Sequence, residues 1–208
     1  MHRKTPQLQA TTGPNTKETD EMKQPSLTIA LLITAFLGTG AASAADSDSI
    51  YTDINLDECL VLKADDFGAS FACPGYKGYP LWISEGDLRF FVSYGFGAPD
   101  EKAAEQTLPA FNTIGPKLEW RLSNKTGGWK PFATILRWHT QSGDGSEPDG
   151  ETLVVTKLEP GNTCHIAYVD AKNLATPGAD ANEIARNFAD DFADDFDCET
   201  DEPHLYPS

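Results

Sequence analysis

The sequence predicts an α+β protein in which a curled antiparallel β-sheet of about seven or eight strands, a meander or a partly open barrel, packs against a C-terminal helix. Three observations lead to this fold class. Short apolar runs alternate with polar residues between glycine and proline turns, as in antiparallel strands. A four-residue apolar repeat near the C-terminus indicates a helix. Four cysteines in an exported chain indicate two disulfide bonds.

The segment that organises the predicted sheet is residues 71–97, FACPGYKGYPLWISEGDLRFFVSYGFG. It reads as a central hairpin, because two runs of strand-forming residues flank Glu85, Gly86 and Asp87, and a glycine beside carboxylates favours a tight reversal. The strand-forming residues are Leu81, Ile83, Leu88, Phe90 and Val92.

A first hairpin is predicted over residues 60–73, with its turn at residues 65–68. If Ala64 faces Gly68 across a three-residue loop, Cys59 lies opposite Cys73, at a distance that a disulfide can bridge. By elimination Cys164 then joins Cys198. A metal site is the weaker interpretation of the cysteines, since the chain has no Cys-x-x-Cys pair.

Four more strands complete the predicted sheet. In residues 118–123 Leu118, Trp120 and Leu122 alternate with polar residues, which predicts one face in water, and in residues 132–138 Phe132 should share a face with Trp138. Residues 152–158 and 164–170 are the other two strands. Residues 142–150 read as an exposed loop, whereas residues 99–108 fit either a short helix or a surface loop.

The predicted helix begins at Asp180, which can cap its first turn. Its apolar stripe should bury against the sheet, and its five aspartates should form a solvated outer face. The stripe consists of Ile184, Phe188, Phe192 and Phe196. The aspartates are Asp190, Asp191, Asp194, Asp195 and Asp197. Residues 199–208 are predicted to be a flexible tail.

The N-terminal part predicts export. An apolar run at residues 27–37 is followed by small residues up to Ala44, which is typical of a secretory signal peptide cleaved between Ala44 and Ala45, and the run is too short for a membrane span. Translation could start at Met1 or Met22. The predicted organisation is an extension and signal over residues 1–44, one α+β domain over 45–198, and the tail.

The chain carries a formal charge of −16, which becomes −17 after removal of residues 1–44. Nucleic acids and anionic membranes attract basic surfaces, so neither is an expected partner. The acidity fits simple solubility or a partner with a basic surface, such as an envelope or extracellular protein.

Four segments carry a resemblance: residues 73–95, 130–138 (KPFATILRW), 164–171 (CHIAYVDA) and 181–198 (ANEIARNFADDFADDFDC). Together they resemble a group of small exported bacterial proteins with no assigned function. The resemblance implies kinship and export, and it brings no catalytic residues to carry over.

The best candidate contact site is Tyr76, Lys77 and Tyr79, a charge flanked by aromatic rings in a hairpin loop; an ordinary tyrosine-rich turn would read the same. His139 or His165 could be a general base, with Asp170 or Glu119 near it, although a structural histidine is the commoner case. Ser93 reads as a strand serine, because Phe91 stands where a nucleophile elbow needs glycine.

No catalytic residue, metal site or cofactor is therefore predicted. We expect a non-enzymatic binding or inhibitor-type protein of the bacterial cell envelope, periplasmic or secreted. The alternatives are a small hydrolase, and a barrel that holds an apolar ligand.

Overall fold

The computed structural model describes residues 47–141 and 149–207. The predicted signal segment, its cleavage point and most of the predicted loop 142–150 lie outside the described residues. Within those ranges the chain forms ten strands, one α-helix and several short 3₁₀ turns. The bounds are β1 (Ser47–Asp53), β2 (Leu60–Asp65), β3 (Gly68–Cys73), β4 (Leu81–Gly86), β5 (Arg89–Tyr94), β6 (Phe111–Ser123), β7 (Lys130–Gln141), β8 (Gly150–Lys157), β9 (Cys164–Asp170), α1 (Ala181–Phe192) and β10 (His204–Tyr206).

The strands form two sheets, so the prediction of one curled sheet with seven or eight strands is wrong. The six-stranded sheet has the order β1-β6-β7-β8-β9-β10, and the four-stranded sheet has the order β2-β3-β4-β5. Only β10, which runs parallel to β9, departs from antiparallel pairing among the described strands. The α+β class, the C-terminal helix and the two disulfides are confirmed.

The six-stranded sheet is the middle layer. One of its faces packs on the four-stranded sheet around Trp120 and Trp138, with Ile83 and Val92 contributed from the opposite side. Its other face carries α1 and includes Ile135. Side chains fill both interfaces, so the protein has two apolar cores that share one sheet.

Strand β7 does not place Phe132 with Trp138 as predicted. Phe132 packs against the cluster beneath α1, whereas Leu136 and Trp138 belong to the core between the sheets. The register of β6 and β7 shifts between Arg121 and Leu122. A bulge of this kind reverses the face that the following residues occupy, and single-strand alternation does not reveal it.

Helix α1 begins as predicted, since the Asp180 side chain accepts a hydrogen bond from the Asn182 amide, which lowers the pKa of Asp180. Its contact face is different. Ala181, Ala185 and Ala189 are buried against the sheet, whereas Phe192 is 38% exposed. Small residues let the helix approach the strands closely, and the larger side chains turn toward β10.

The aromatic stripe of α1 packs beside the C-terminal residues. The ring of Phe192 lies 4.3 Å from that of His204, and the Phe188 ring lies 6.5 Å from that of Tyr206. The predicted tail thus includes a strand, β10, paired with β9. Residues 99–108, left open between helix and loop, contain 3₁₀ turns at Ala98–Asp100 and Lys102–Glu105.

The polar face of β6 is covered by α1 and not by water. Glu119 and Arg121 are 5% and 6% exposed, and they pair with Arg186 and Asp190 of the helix. Asp194 pairs with Lys125 farther along. Asp190 therefore does not belong to the predicted solvated face, whereas the Asp194 side chain is 61% exposed.

Candidate functional site

Exposed apolar side chains concentrate on the four-stranded sheet. Five of the eleven large apolar side chains that are exposed in the described residues lie on β2 or at the two hairpin tips of this sheet. We call these five the edge surface: Leu60, Val61, Leu62, Phe67 and Leu88, with exposed fractions of 67%, 54%, 50%, 88% and 66%. They contribute little to either core, so their apolar character is not explained by folding.

Leu88 occupies a conformation that leucine rarely adopts. Asp87 and Leu88 form a two-residue turn between β4 and β5, with φ values of 51° and 60°. Turns of this geometry favour glycine at the second position, because a Cβ atom crowds the left-handed region. A strained and exposed leucine at a hairpin tip favours a role in contact with another molecule.

A shallow groove of about 390 Å³ runs across the outer face of this sheet beside Phe67. The Trp82 ring also lines it, and Asp65 and Glu85 supply carboxylates. Gly68 belongs to its floor, where a Cβ atom would lie 2.2 Å from the Glu85 carbonyl oxygen. Only glycine fits at this position, so no side chain projects into the groove there.

The free edge of β2 is protected against pairing with another strand. Its register with β3 shifts between Val61 and Lys63, which leaves Leu62 in a bulge, and Lys63 forms an exposed ion pair with Asp65. Bulges and edge lysines both oppose strand addition. The edge surface is therefore suited to contacts through side chains.

The predicted contact residues lie between β3 and β4, at the end of the same sheet away from Phe67 and Leu88. The Tyr76 and Tyr79 rings are half-buried and pack on Trp120, with ring centroids 6.3 and 5.8 Å away. Lys77 is exposed and lies 5.0 Å from the centre of the Tyr76 ring. The tyrosines thus anchor the loop on Trp120, the loop presents one lysine, and the role of these residues in binding stays a prediction.

The structure separates the two candidate histidines. His165 is 1% exposed between the sheets, where its Nδ1 lies 2.9 Å from the Tyr168 hydroxyl and its Nε2 has no hydrogen-bond partner. Burial lowers the pKa of His165 to about 3 and raises the pKa of Tyr168 to about 12. A neutral, enclosed imidazole is a core residue, whereas His139 lines an open cleft near Glu151.

That cleft lies between the N-terminal turn of α1 and strands β6, β7 and β8. It has a volume of about 290 Å³. Its lining residues are Tyr51, Gly115, Pro116, Lys117, Glu119, Ile135, Arg137, His139, Leu153 and Asn182. His139 and Glu119 thus line the same cleft, but Glu119 lies opposite Ile135, four residues from His139 along β7. Arg137, which the sequence did not single out, also lines it.

A double bulge in β6 shapes the cleft. Ile114 pairs with Trp138 and Leu118 with Leu136, so Gly115, Pro116 and Lys117 lie opposite Arg137 alone. A Cβ atom on Gly115 would lie 3.1 Å from the Arg137 carbonyl oxygen, which favours glycine at this close approach. Bulges are frequent beside functional sites because they redirect side chains.

Other signals were missed or are weak. The Asp-Leu-Arg sequence at residues 87–89, a leucine where the turn needs glycine, could have drawn attention to Leu88. Within the described ranges no group of three His, Cys, Asp or Glu side chains could hold a metal ion, and no helix is long and apolar enough to cross a membrane. Comparison with protein-family models, with curated proteins and with solved structures finds no significant match.

Proposed function

We propose that this is an exported, non-enzymatic binding protein of the bacterial cell envelope that holds a basic and apolar segment of a partner protein on its edge surface. The observation that carries the proposal is the edge surface itself, in which the exposed Phe67 ring lies beside the groove lined by Trp82 and four further exposed apolar side chains lie on β2 and at the β4–β5 turn. Interfaces are rich in aromatic and large apolar anchors of this kind.

The charges around the edge surface favour a partner segment with positive charge. Asp65, Asp66, Glu85 and Asp87 lie at this end of the sheet, where the cations Lys63 and Arg89 already pair with Asp65 and Asp87. An excess of carboxylate favours a basic segment, and Trp82 and Phe67 can each receive a cation on the ring face. An anionic membrane would be repelled.

Export is supported by the covalent framework. Both disulfides, Cys59–Cys73 and Cys164–Cys198, are formed, and disulfides persist in oxidising compartments. The proposed location is the periplasm or the extracellular medium.

The two alternatives receive less support. A hydrolase would use His139 as a base, yet the described residues that line its cleft include no serine, threonine or cysteine beside it. A ligand-filled barrel requires a closed sheet, whereas two sheets pack here on a core filled by Trp120 and its neighbours.

The proposal is tested with a synthetic peptide of alternating lysine and leucine, followed by amide chemical shifts. We expect saturable shifts at residues 67–70 and 84–88 that weaken as salt is added. Phe67→Ser should weaken binding about tenfold, as loss of an anchor does. Phe96→Ser is the matched control, because Phe96 is 90% exposed and lies outside the edge surface.

A photo-crosslinking residue at position 67 then examines the natural partner in the envelope. Crosslinking to a protein with a basic segment is expected at position 67 and not at the control position 96. Peptide shifts confined to the acidic end of α1, or equal effects of Phe67→Ser and Phe96→Ser, would contradict the proposal. If Lys77→Gln abolishes peptide binding and Phe67→Ser does not, the loop with Tyr76 and Tyr79 is the contact site.

A further inference from the structure

The cleft at the N-terminal end of α1 lies on the other face of the six-stranded sheet from the edge surface, so it is a separate site. Its deepest walls are apolar: Ile135 and Leu153 are 3% and 2% exposed. Pro116 and the half-exposed Tyr51 ring extend this apolar wall toward solvent. The cleft can therefore accommodate the apolar part of a small molecule.

Two cationic side chains, Lys117 and Arg137, line the cleft, and each has a bond that a ligand could replace. Arg137 donates from Nη1 to Glu151 at 2.7 Å, but its Nη2 bond to the Asn182 side chain is long, at 3.3 Å. Among the described residues Lys117 pairs with Asp53 alone, and both side chains are well exposed, at 59% and 74%. Exposed pairs contribute little, so Lys117 can turn to an incoming anion at low cost. The Arg137–Glu151 pair is less exposed, so Arg137 keeps it and can exchange its long bond to Asn182 for a ligand.

The remaining charges limit that anion to a single negative charge. Glu119 is fully engaged, since it accepts bonds from Arg186 Nε at 2.6 Å and Nη2 at 3.2 Å. This pairing raises the pKa of Arg186 and holds the wall of the cleft in place. Glu151 lies 4.0 Å from His139 on the other side. With Arg186 counted, three cations face the two carboxylates of Glu119 and Glu151 once Lys117 turns into the cleft. One positive charge is left, which favours a monoanion over a dianion such as hydrogen phosphate.

We propose that this cleft binds a small monocarboxylate with an apolar body. The ligand carboxylate lies between Lys117 Nζ and the Arg137 guanidinium, and the ligand's apolar part rests on Ile135 and Leu153. Arginine suits this contact because its planar donors match carboxylate geometry. The inference does not depend on the edge surface or on its partner.

The test uses phenylacetate and octanoate as probes, with phenylacetamide and inorganic phosphate as comparisons, followed by amide chemical shifts. Saturable shifts are expected at the amides of Gly115, Lys117 and Asn182 for the two carboxylates. Lys117→Gln should weaken carboxylate binding about three- to tenfold, and Arg137→Gln more than about tenfold. Lys130→Gln, an exposed lysine at the start of β7, is the control and should leave binding unchanged.

Lys117 is exposed, so its replacement by glutamine should leave stability unchanged. Weaker binding by Lys117→Gln therefore cannot be explained by a folding defect. Three results would overturn the inference: absence of shifts at the Gly115 and Lys117 amides with both carboxylates, equal binding of phenylacetamide, or tighter binding of phosphate. The edge-surface variant Phe67→Ser should bind phenylacetate normally, which keeps this test separate from that of the proposed function.

Discussion

The guanidinium of Arg121 donates two parallel hydrogen bonds to the carboxylate of Asp190, from Nε at 2.9 Å and from Nη2 at 2.5 Å. Arg121 is on β6 and Asp190 is on α1. Glu119 and Arg186 form the neighbouring pair along both elements. Two strand residues advance about 6.6 Å and four helix residues about 6 Å, so alternate residues of β6 match every fourth residue of α1.

This match predicts a large effect at Asp190. Asp190→Ala should lower the free energy of unfolding by about 2–4 kcal/mol, because it leaves the nearly buried Arg121 charge without its carboxylate. Asp194→Ala should lower it by less than about 1 kcal/mol, since the pair with Lys125 is exposed. Urea unfolding measures both variants, and equal losses would contradict the assignment of burial as the cause.

His165 predicts a fall in stability on mild acidification. Its folded pKa of about 3 lies below the ordinary value of 6.5, so below that ordinary value the unfolded chain takes up a proton that the folded protein excludes. The contribution of His165 to the free energy of unfolding is therefore constant well above pH 6.5. It decreases by about 1.4 kcal/mol per pH unit as the pH falls from 6.5 toward 3. Urea unfolding between about pH 6.5 and 5, where most carboxylates stay ionised, should show this slope. His165→Phe should remove it, and parallel slopes in the two proteins would refute the prediction.

The Cys164–Cys198 bridge predicts local loosening when it is removed. It spans a sequence separation of 34, so it should contribute about 3–4 kcal/mol through chain entropy. The double variant Cys164→Ser with Cys198→Ser should keep the sheets and lose hydrogen-exchange protection at residues 190–197. Lys157 and Lys102 still donate to the Phe196 and Cys198 carbonyls, which should limit the unfolding to this end. Replacing Cys59 and Cys73 by serine is the matched control, and it should leave α1 protected.

Replacing the exposed Leu88 by glycine should stabilise the protein. Leu88→Gly creates the Asp-Gly pair that this turn favours, and relief of the left-handed leucine should raise the free energy of unfolding by about 0.5–1 kcal/mol. Leu60→Gly, in a strand and equally exposed, should lower it by about the same amount. If Leu88→Gly proves destabilising, the strain argument fails. Stabilisation together with weaker peptide binding would support the contact role of Leu88.

The signal segment predicts cleavage between Ala44 and Ala45, because small residues follow the apolar run. N-terminal sequencing of the exported protein should begin at Ala45. Retention of residues 27–37 in the exported form would refute this prediction.

Local sequence patterns determined the strands, the helix start and the disulfide partners. Strand-forming runs, turn residues and alternation located eight of the ten described strands, and Asp180 marked the start of α1, because backbone geometry and turn chemistry act over a few residues. The first disulfide is instructive. Asp65 pairs with Gly68 across a two-residue loop, unlike the predicted three-residue loop, yet the bulge at Leu62 restores the register that places Cys59 beside Cys73.

Only the tertiary structure decided which faces became interior. The polar residues Glu119 and Arg121 read as a wet face from the sequence, but a helix more than sixty residues later carries the opposite charges that allow their burial. Ala185 and Ala189 face the sheet in place of the phenylalanines because β10 offers those rings another partner. The edge surface and the cleft with Arg137 likewise arise from turn strain and bulges, which depend on the pairing of distant strands and have no pattern within a single strand.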